Sequence, residues 1–314
     1  MSKVSIIIPV YYNAESLEAL AERLSVLAEV HPQHEFEFVY VDDGSGDNSF
    51  AILKGIAASD TRVRVVKLAR NFGSNTAILA GMSYATGDCV GFLAADLQDP
   101  PETYHQMLKY WEDGSKVVFA VRTDRQGDPW LTRLFAGLFN WLFEKLVFQG
   151  FSPQGVGFFL VDRQVADLLL RCEERNAHLV GLLFWSGYDY QEVVYERVQR
   201  ENGRSRWTFG KKFKYSIDAF AAFSYLPLRV ASALGVLLSG VGGLYAIIVI
   251  AIRLLNRVAV PGWSALMVVV LLTSGAQLLI LGILGEYLWR NFDATRRRPL
   301  FVVDSILNMC EEDG

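Results

Sequence analysis

The sequence predicts an α/β domain built on a mainly parallel sheet, followed by a C-terminal hairpin of two membrane-spanning helices. Three observations carry that expectation. Short β-branched runs alternate with helical patterns over the first 125 residues. Polar, carboxylate-rich clusters follow the ends of three of those runs. Two long stretches without a charged residue lie near the C-terminus. At about 150 residues per domain, 314 residues also suit two structural units.

Val4–Val10, Phe36–Val41, Arg62–Leu68, Cys89–Ala94 and Val117–Val121 are short and rich in β-branched residues, the pattern of buried strands. After the first, Glu15–Val30 places Leu17, Leu20, Leu24 and Leu27 on one helical face, and Asn75–Ala85 has a similar pattern. Strand–helix alternation makes a parallel sheet covered by helices, and such sheets bind ligands beyond the carboxyl ends of their strands. Pro9-Val10-Tyr11-Tyr12-Asn13-Ala14-Glu15 closes the first strand and Val41-Asp42-Asp43-Gly44-Ser45 the second. Ala95-Asp96-Leu97-Gln98-Asp99-Pro100-Pro101-Glu102 closes the fourth. Carboxylates gathered at one sheet edge repel one another unless they bind a cation or meet hydroxyls. A divalent metal on a diphosphate meets the first need, and ribose or uracil groups the second. Taken singly, Asp42 and Asp99 also suit turns or helix caps.

Val230 to Ile252 is a run of 23 residues, and Val258 to Gly285 one of 28, without Asp, Glu, Lys or Arg. At 1.5 Å per residue, each run as a helix exceeds the roughly 30 Å hydrocarbon core of a bilayer. Lys211, Lys212, Lys214 and Arg229 precede the first run; Arg290, Arg296, Arg297 and Arg298 follow the second. The connection carries only Arg253 and Arg257, so positive-inside bias puts both ends of the hairpin in the cytoplasm. Val4–Val10 is short and broken by Pro9, so no signal peptide is expected. The expected organisation is a cytosolic domain over residues 1–210 and a juxtamembrane interfacial helix over 211–226. Two membrane helices follow within 227–289, at about 228–254 and 261–287, then a cytosolic tail over 290–314. The chain is expected in the inner (cytoplasmic) membrane, crossing it twice.

Composition agrees. Apolar residues make up 52% and charged residues 20%, with a mean hydropathy of +0.23, which excludes disorder and a collagen-like fibre. Thirty Lys and Arg against 34 Asp and Glu give a net charge of −4, so no basic field favours a nucleic-acid partner. Cys89, Cys172 and Cys310 lack metal-ligand spacing and imply reduced thiols.

These strings resemble family 2 inverting glycosyltransferases, and among them the polyprenyl-phosphate branch of bactoprenol glucosyltransferases, aminoarabinosyl transferases and dolichyl-phosphate mannose synthases. The resemblance covers nearly the whole chain. It includes Arg70-Asn71-Phe72-Gly73, Ala80-Gly81, Thr86-Gly87-Asp88, Val121-Arg122, Arg197 to Trp207, Gly285-Glu286-Tyr287 and Arg298-Pro299-Leu300. It implies a nucleotide-diphospho-sugar transferase (GT-A-like) fold, in which Asp42 and Asp43 hold the donor's uracil and ribose and Pro9, Tyr11 and Glu15 shape the base pocket. Asp96 would take a Mg²⁺ or Mn²⁺ ion on the diphosphate, with Gln98 as a second oxygen ligand. Two positions depart from the pattern. Ala94 stands where the family commonly has the first Asp of Asp-x-Asp, and Phe159 stands where relatives carry Arg after Gly-Phe.

The resemblance further implies transfer of one sugar, glucose from UDP-glucose by preference, to polyprenyl (undecaprenyl) phosphate. That acceptor oxygen is anionic at pH 7 and needs no base; leaving-group stabilisation and in-line placement do the work. Cations for both tasks are Arg122 after the fifth strand, Arg133 and Arg200, and in Arg200-Glu201-Asn202-Gly203-Arg204-Ser205-Arg206-Trp207 the Ser205 hydroxyl and Arg206 are the expected phosphate contacts. Arg125 and Arg204 are expected to be solvated. Trp130–Phe148 is apolar around much of a helix and suits lipid contact, core packing or the interface of a homo-oligomer. Lys211–Leu226 mixes lysines with aromatics, as an interfacial helix does. Two other readings stay open: a processive polysaccharide synthase, which needs Gln where Gly203 stands, and a non-catalytic binding protein, motivated by Ala94.

Overall fold

The computed structural model describes residues 1–123, 155–172, 178–198, 226–254 and 262–308. The segments expected at 130–148 and 211–226 lie outside the described residues. Eight strands form one mixed sheet: β1 (Ser2–Val10), β2 (His34–Asp42), β3 (Val63–Leu68), β4 (Cys89–Phe92), β5 (Val117–Arg122), β6 (Val156–Asp162), β7 (Tyr190–Tyr195) and β8 (Val303–Leu307). Their order is β7-β5-β6-β4-β1-β2-β3-β8. The five expected strands all form, with ends shifted by a few residues. β4 stops at Phe92; Leu93 still donates its N–H to β1, and the chain then enters the acidic loop.

The first crossovers are helical: α1 (Leu17–Val30), α2 (Ser49–Ser59), α3 (Ser74–Tyr84) and α4 (Tyr104–Glu112). α1 buries Leu17, Leu20, Leu24 and Leu27, the stripe read from the sequence. α5 (Arg163–Arg171) and α6 (Leu179–Trp185) follow β6. β1, β2, β3 and β4 are mutually parallel, and β5 is parallel to β7. β6 runs antiparallel to both β4 and β5, so those two point the same way. The carboxyl ends of β1, β2, β3, β4, β5 and β7 therefore share one edge. The chain builds outward from β1 through β2 to β3, then returns to β4 on the other side of β1. That reversal is the switch point where open α/β sheets bind ligands.

At the start of β2 the sheet is tied by a buried carboxylate. Glu37 accepts hydrogen bonds from Ser5 Oγ, Thr86 N (2.5 Å), Thr86 Oγ1 (2.9 Å) and Gly87 N (3.2 Å). Lys3 and Arg64 approach its Oε2 to 3.2 and 3.3 Å. Thr86-Gly87-Asp88, one of the family-like strings, is thus a structural turn, with Asp88 accepting the Lys3 N–H at 2.8 Å.

The chain divides into two compact units, residues 1–222 with 298–314, and residues 223–297. The second contains α7 (Leu226–Leu254) and α8 (Trp263–Thr295), which pack on each other with Gly235 facing Ile280. Both helices are long and apolar enough to cross a membrane, with windows of mean hydropathy 1.5 and 1.2. They present bare apolar side chains, Val236 at 75% and Leu278 at 70% exposure among them. α8 runs past the expected end of the second span to Thr295, helped by the Glu286–Arg290 pair one turn apart (2.8 Å).

Within the tail expected over residues 290–314, the chain adds β8 antiparallel to β3 after α8. Ala69 N donates to Val302 O (2.9 Å), Lys67 pairs with Asp304 (2.7 Å), and Asn308 Nδ2 donates to Ala57 O and Val63 O.

Burial alone would raise the Glu37 pKa, yet the hydrogen bonds from Ser5 and Thr86 and the charge of Lys3 hold it below its ordinary 4.5. A depressed carboxylate contributes stability that is present above pH 4.5 and lost as pH falls through the lowered value. Glu37→Gln is expected to cost about 3 kcal/mol in urea unfolding at pH 7, because Lys3 and Arg64 lose a buried partner. The variant's stability should also fall less steeply than wild type's between pH 5 and pH 3; an unchanged slope would remove Glu37 as the titrating group.

Candidate active site

Three loops meet at the carboxyl edge. After β1, Tyr12 takes a positive φ of 57° and its N–H donates to Ser45 Oγ (3.1 Å). The next two N–H groups, of Asn13 and Ala14, donate to Ser49 Oγ (3.1 Å) and Asp47 Oδ2 (3.5 Å). The first loop is thereby sewn onto the second. Ser16 Oγ donates to Ala95 O (2.6 Å), which joins it to the third. Pro9 lies in β1 opposite Val41, Tyr11 is half-buried, its ring edge-on to Tyr12 at 4.8 Å, and Glu15 is exposed.

Asp42 and Asp43 are both buried but differently employed. Asp43 accepts the N–H groups of Phe72 (2.6 Å) and Gly73 (2.9 Å) at the start of α3, where the helix dipole favours a carboxylate. Gly44 takes φ +67°, and a Cβ there would stand 2.7 Å from the backbone of Arg70 and Asn71. The Asp-Asp-Gly string is a seat for the Arg70–Gly73 loop. Asp42 Oδ1 accepts the Ser45 N–H (3.0 Å), while its Oδ2 is buried without a hydrogen-bond partner among the described residues. A buried carboxylate oxygen short of a donor is where a ligand N–H or O–H fits. Burial raises the pKa of both aspartates, against the hydrogen bonds from Ser45 for Asp42 and from Phe72 and Gly73 for Asp43.

The third loop leaves β4 through Leu93, whose N–H donates to Ile7 O (2.9 Å). Asp96 is partly exposed, its Oδ1 accepting the Gln98 N–H at 3.3 Å across Leu97, which has a positive φ of 59°. No group of three His, Cys, Asp or Glu able to hold a metal occurs among the described residues. Asp96 with Gln98 fits a hard divalent ion that draws its other ligands from a diphosphate and water, as Mg²⁺ commonly does. Ala94 leaves this loop one carboxylate short of the Asp-x-Asp pattern.

Arg122 ends β5 at the same edge, opposite Tyr195 of β7. Its Nε donates to Tyr195 Oη (3.3 Å), and that hydroxyl donates to Asp99 Oδ1 (2.7 Å). Arg197 Nε lies 3.4 Å from the same oxygen. The sequence did not single out Tyr195 or the pairing of Asp99; their signal was only that Tyr195 and Arg197 border a family-like string. Phe159 is fully buried in β6, edge-on to Phe92 at 4.8 Å, so this position supplies packing and no basic contact. Arg133, Arg200, Ser205 and Arg206, with Arg125 and Arg204, lie outside the described residues.

The glycosyl transferase family 2 model matches residues 5–166, just over half the chain. The chain belongs to glycosyl transferase family 2. The uncharacterized glycosyltransferase YkcC of Bacillus subtilis (strain 168) is 38% identical over 95% of this chain and 92% of its own. A bactoprenol glucosyl transferase of Shigella phage SfV is 32% identical over 96% and 98%. Among solved structures, mannosyl-3-phosphoglycerate synthase from Rubrobacter xylanophilus aligns over 70% of this chain and 72% of its own, with TM-score 0.51 and 21% identity, a likeness of fold. The first unit is thus a family 2 glycosyltransferase domain of GT-A-like fold, with its carboxylates at the ligand-binding edge.

Two aspartates separate stability from activity. Asp96→Ala is expected to reduce sugar transfer below about a tenth of wild type, a barrier increase of at least about 1.4 kcal/mol, with the thermal midpoint unchanged. Asp42 has a raised folded pKa, so its ionised form costs folding stability above that pKa. Asp42→Asn should therefore raise the midpoint at pH 7 while weakening nucleotide-sugar affinity roughly tenfold by calorimetry. A lowered midpoint would show that Asp42 serves the fold instead.

Proposed function

We propose that this glycosyltransferase transfers one glucose from UDP-glucose to polyprenyl (undecaprenyl) phosphate, with inversion, at the cytosolic leaflet of the inner membrane. The observation that carries the reading is the near end-to-end match to a bactoprenol glucosyl transferase, including both long apolar helices. Asp42 and the Tyr11–Glu15 loop take the base and ribose. Asp96 and Gln98 take Mg²⁺ or Mn²⁺, which supplies charge to the departing diphosphate. A phosphate oxygen of the lipid attacks the anomeric carbon from the face opposite UDP; the new C–O bond forms as the bond to UDP breaks. No proton needs to be removed. The protein's part is to hold the phosphate in line and to meet the charge on the departing UDP, with Arg122 and, outside the described residues, Arg133, Arg200, Ser205 and Arg206.

The hydrogen bonds between β8 and β3 support a hairpin. Strands on either side of α7 and α8 in sequence join one sheet, as a chain that crosses a membrane twice between them requires. The flanking lysines and arginines support the cytosolic face. The low charge and uncharged runs favour a lipid partner over nucleic acid.

The deciding experiment is purified protein with labelled UDP-glucose and undecaprenyl phosphate, with and without Mg²⁺ or Mn²⁺. A lipid-linked product that requires the metal supports the reading. Nucleotide-sugar binding without product would make the chain a binding protein, and a polymer would make it a processive synthase. Arg206→Ala is expected to lower turnover roughly tenfold or more, for one lost charge-assisted contact, with the pH–rate profile keeping its shape. In sealed vesicles, cysteines placed at positions 2 and 314 should label from the same, cytosolic side; labelling from opposite sides would overturn the hairpin.

A further inference from the structure

Four groups from three parts of the chain are joined beside the acidic loop by two hydrogen bonds and an ion pair. Asp99, 2% exposed, closes the loop that begins with Asp96. Tyr195, 5% exposed, donates to Asp99 and accepts from Arg122, and Arg197 approaches the same carboxylate. The backbone doubles the link. Val198 N donates to Gln98 O (3.0 Å), while Thr123 N and Oγ1 donate to Tyr195 O (3.0 and 2.7 Å). Room for the phenol comes from Gly157 of β6, where a Cβ would run into Tyr195 Oη.

A purely structural role explains this poorly. Tyr195 packs its ring on Phe158 at 5.2 Å, contact a phenylalanine would keep without a hydroxyl to satisfy. Asp99 is a buried carboxylate, costly unless it holds donors in place. It holds the Tyr195 hydroxyl and the Arg197 guanidinium directly, and through Tyr195 it reaches Arg122. A phenol that donates a hydrogen bond to a carboxylate becomes a stronger acceptor, so Asp99 strengthens the hold of Tyr195 on Arg122 Nε. Arginine has a long flexible stem, and one fixed N–H orients the whole planar guanidinium.

We infer that Tyr195 is a positioning residue for Arg122, and that the Asp99–Tyr195 pair sets this cation at a fixed spacing from the Asp96 loop. The cation that meets a phosphate and the carboxylate that takes the metal are then aligned before substrate arrives. The inference rests on the proposed function, since it gives Arg122 a phosphate to meet.

A double-mutant cycle tests it, in the full-length protein with UDP-glucose and undecaprenyl phosphate. Tyr195→Phe is expected to lower kcat roughly tenfold with little change in the KM for UDP-glucose. In the Arg122→Ala background, the same substitution should change kcat by less than about twofold, because its effect runs through Arg122. Multiplying effects, or wild-type kcat in Tyr195→Phe, would overturn the inference. Thermal midpoints accompany every variant; if Tyr195→Phe fails to fold, Asp99→Asn, which keeps an acceptor for the phenol but removes its charge, enters the same cycle with the same two outcomes. A wild-type protein that makes no lipid product defeats the proposed function instead. The cycle is then read in UDP affinity with Mn²⁺, where additivity again counts against the inference.

Discussion

Two backbone N–H groups at the start of α3 converge on the carboxylate of Asp43, and the architecture of the carboxyl edge follows from that contact. It draws the Arg70–Gly73 loop against Gly44 and places the helix N-terminus behind the second strand. With Asp43 committed to the backbone, its neighbour Asp42 keeps one buried oxygen that the described residues leave without a partner. One aspartate anchors the neighbouring loop while the other keeps an oxygen unengaged by the described residues. The same loop begins where Ala69 meets Val302, so the Asp43 contact also lies next to the seam at which the C-terminal strand joins.

β2 shows how stability and activity are divided along one element. Near its start, Glu37 is surrounded by donors and two cations, and its burial is compensated. At its end, Asp42 and Asp43 are buried with their pKa values raised, a cost that folding must carry. Ligand sites commonly keep such incompletely matched groups, because a carboxylate satisfied internally has nothing left to offer. The sheet tolerates the unfavourable end because the other is firmly tied.

The sequence revealed what local pattern can encode. Strands β1 to β5 were legible because both faces are buried and their residues are β-branched, and α1 because four leucines repeat at helical spacing. β7 escaped notice since Gln191, Glu192 and Val194 are exposed on a half-covered edge strand. β8 escaped because five alternating residues mean little until β3, more than 230 residues away, supplies a partner. Residue types located the three acidic clusters but could not divide labour within them. That Asp43 serves the backbone while Asp99 serves a tyrosine depends on which loops arrive beside each, which is tertiary information. Phe159 illustrates the converse: a departure from the family pattern proved to be core, since β6 turns that side chain into the sheet's packing layer.

The C-terminal strand also bears on the order in which the molecule can be completed. β3 is made early, yet its outer edge has no partner until residues 303–307 are synthesised, after both long apolar helices. During that interval a row of backbone donors and acceptors stands open, the condition that invites pairing with a neighbouring chain. Lys67, whose amino group later meets Asp304, puts a charge on that edge while it waits. A ribosome that stops before codon 303 would release a protein with the loops after β1, β2 and β4 in place but one raw strand exposed. Quality control of such a chain would thus recognise a missing edge rather than a missing site.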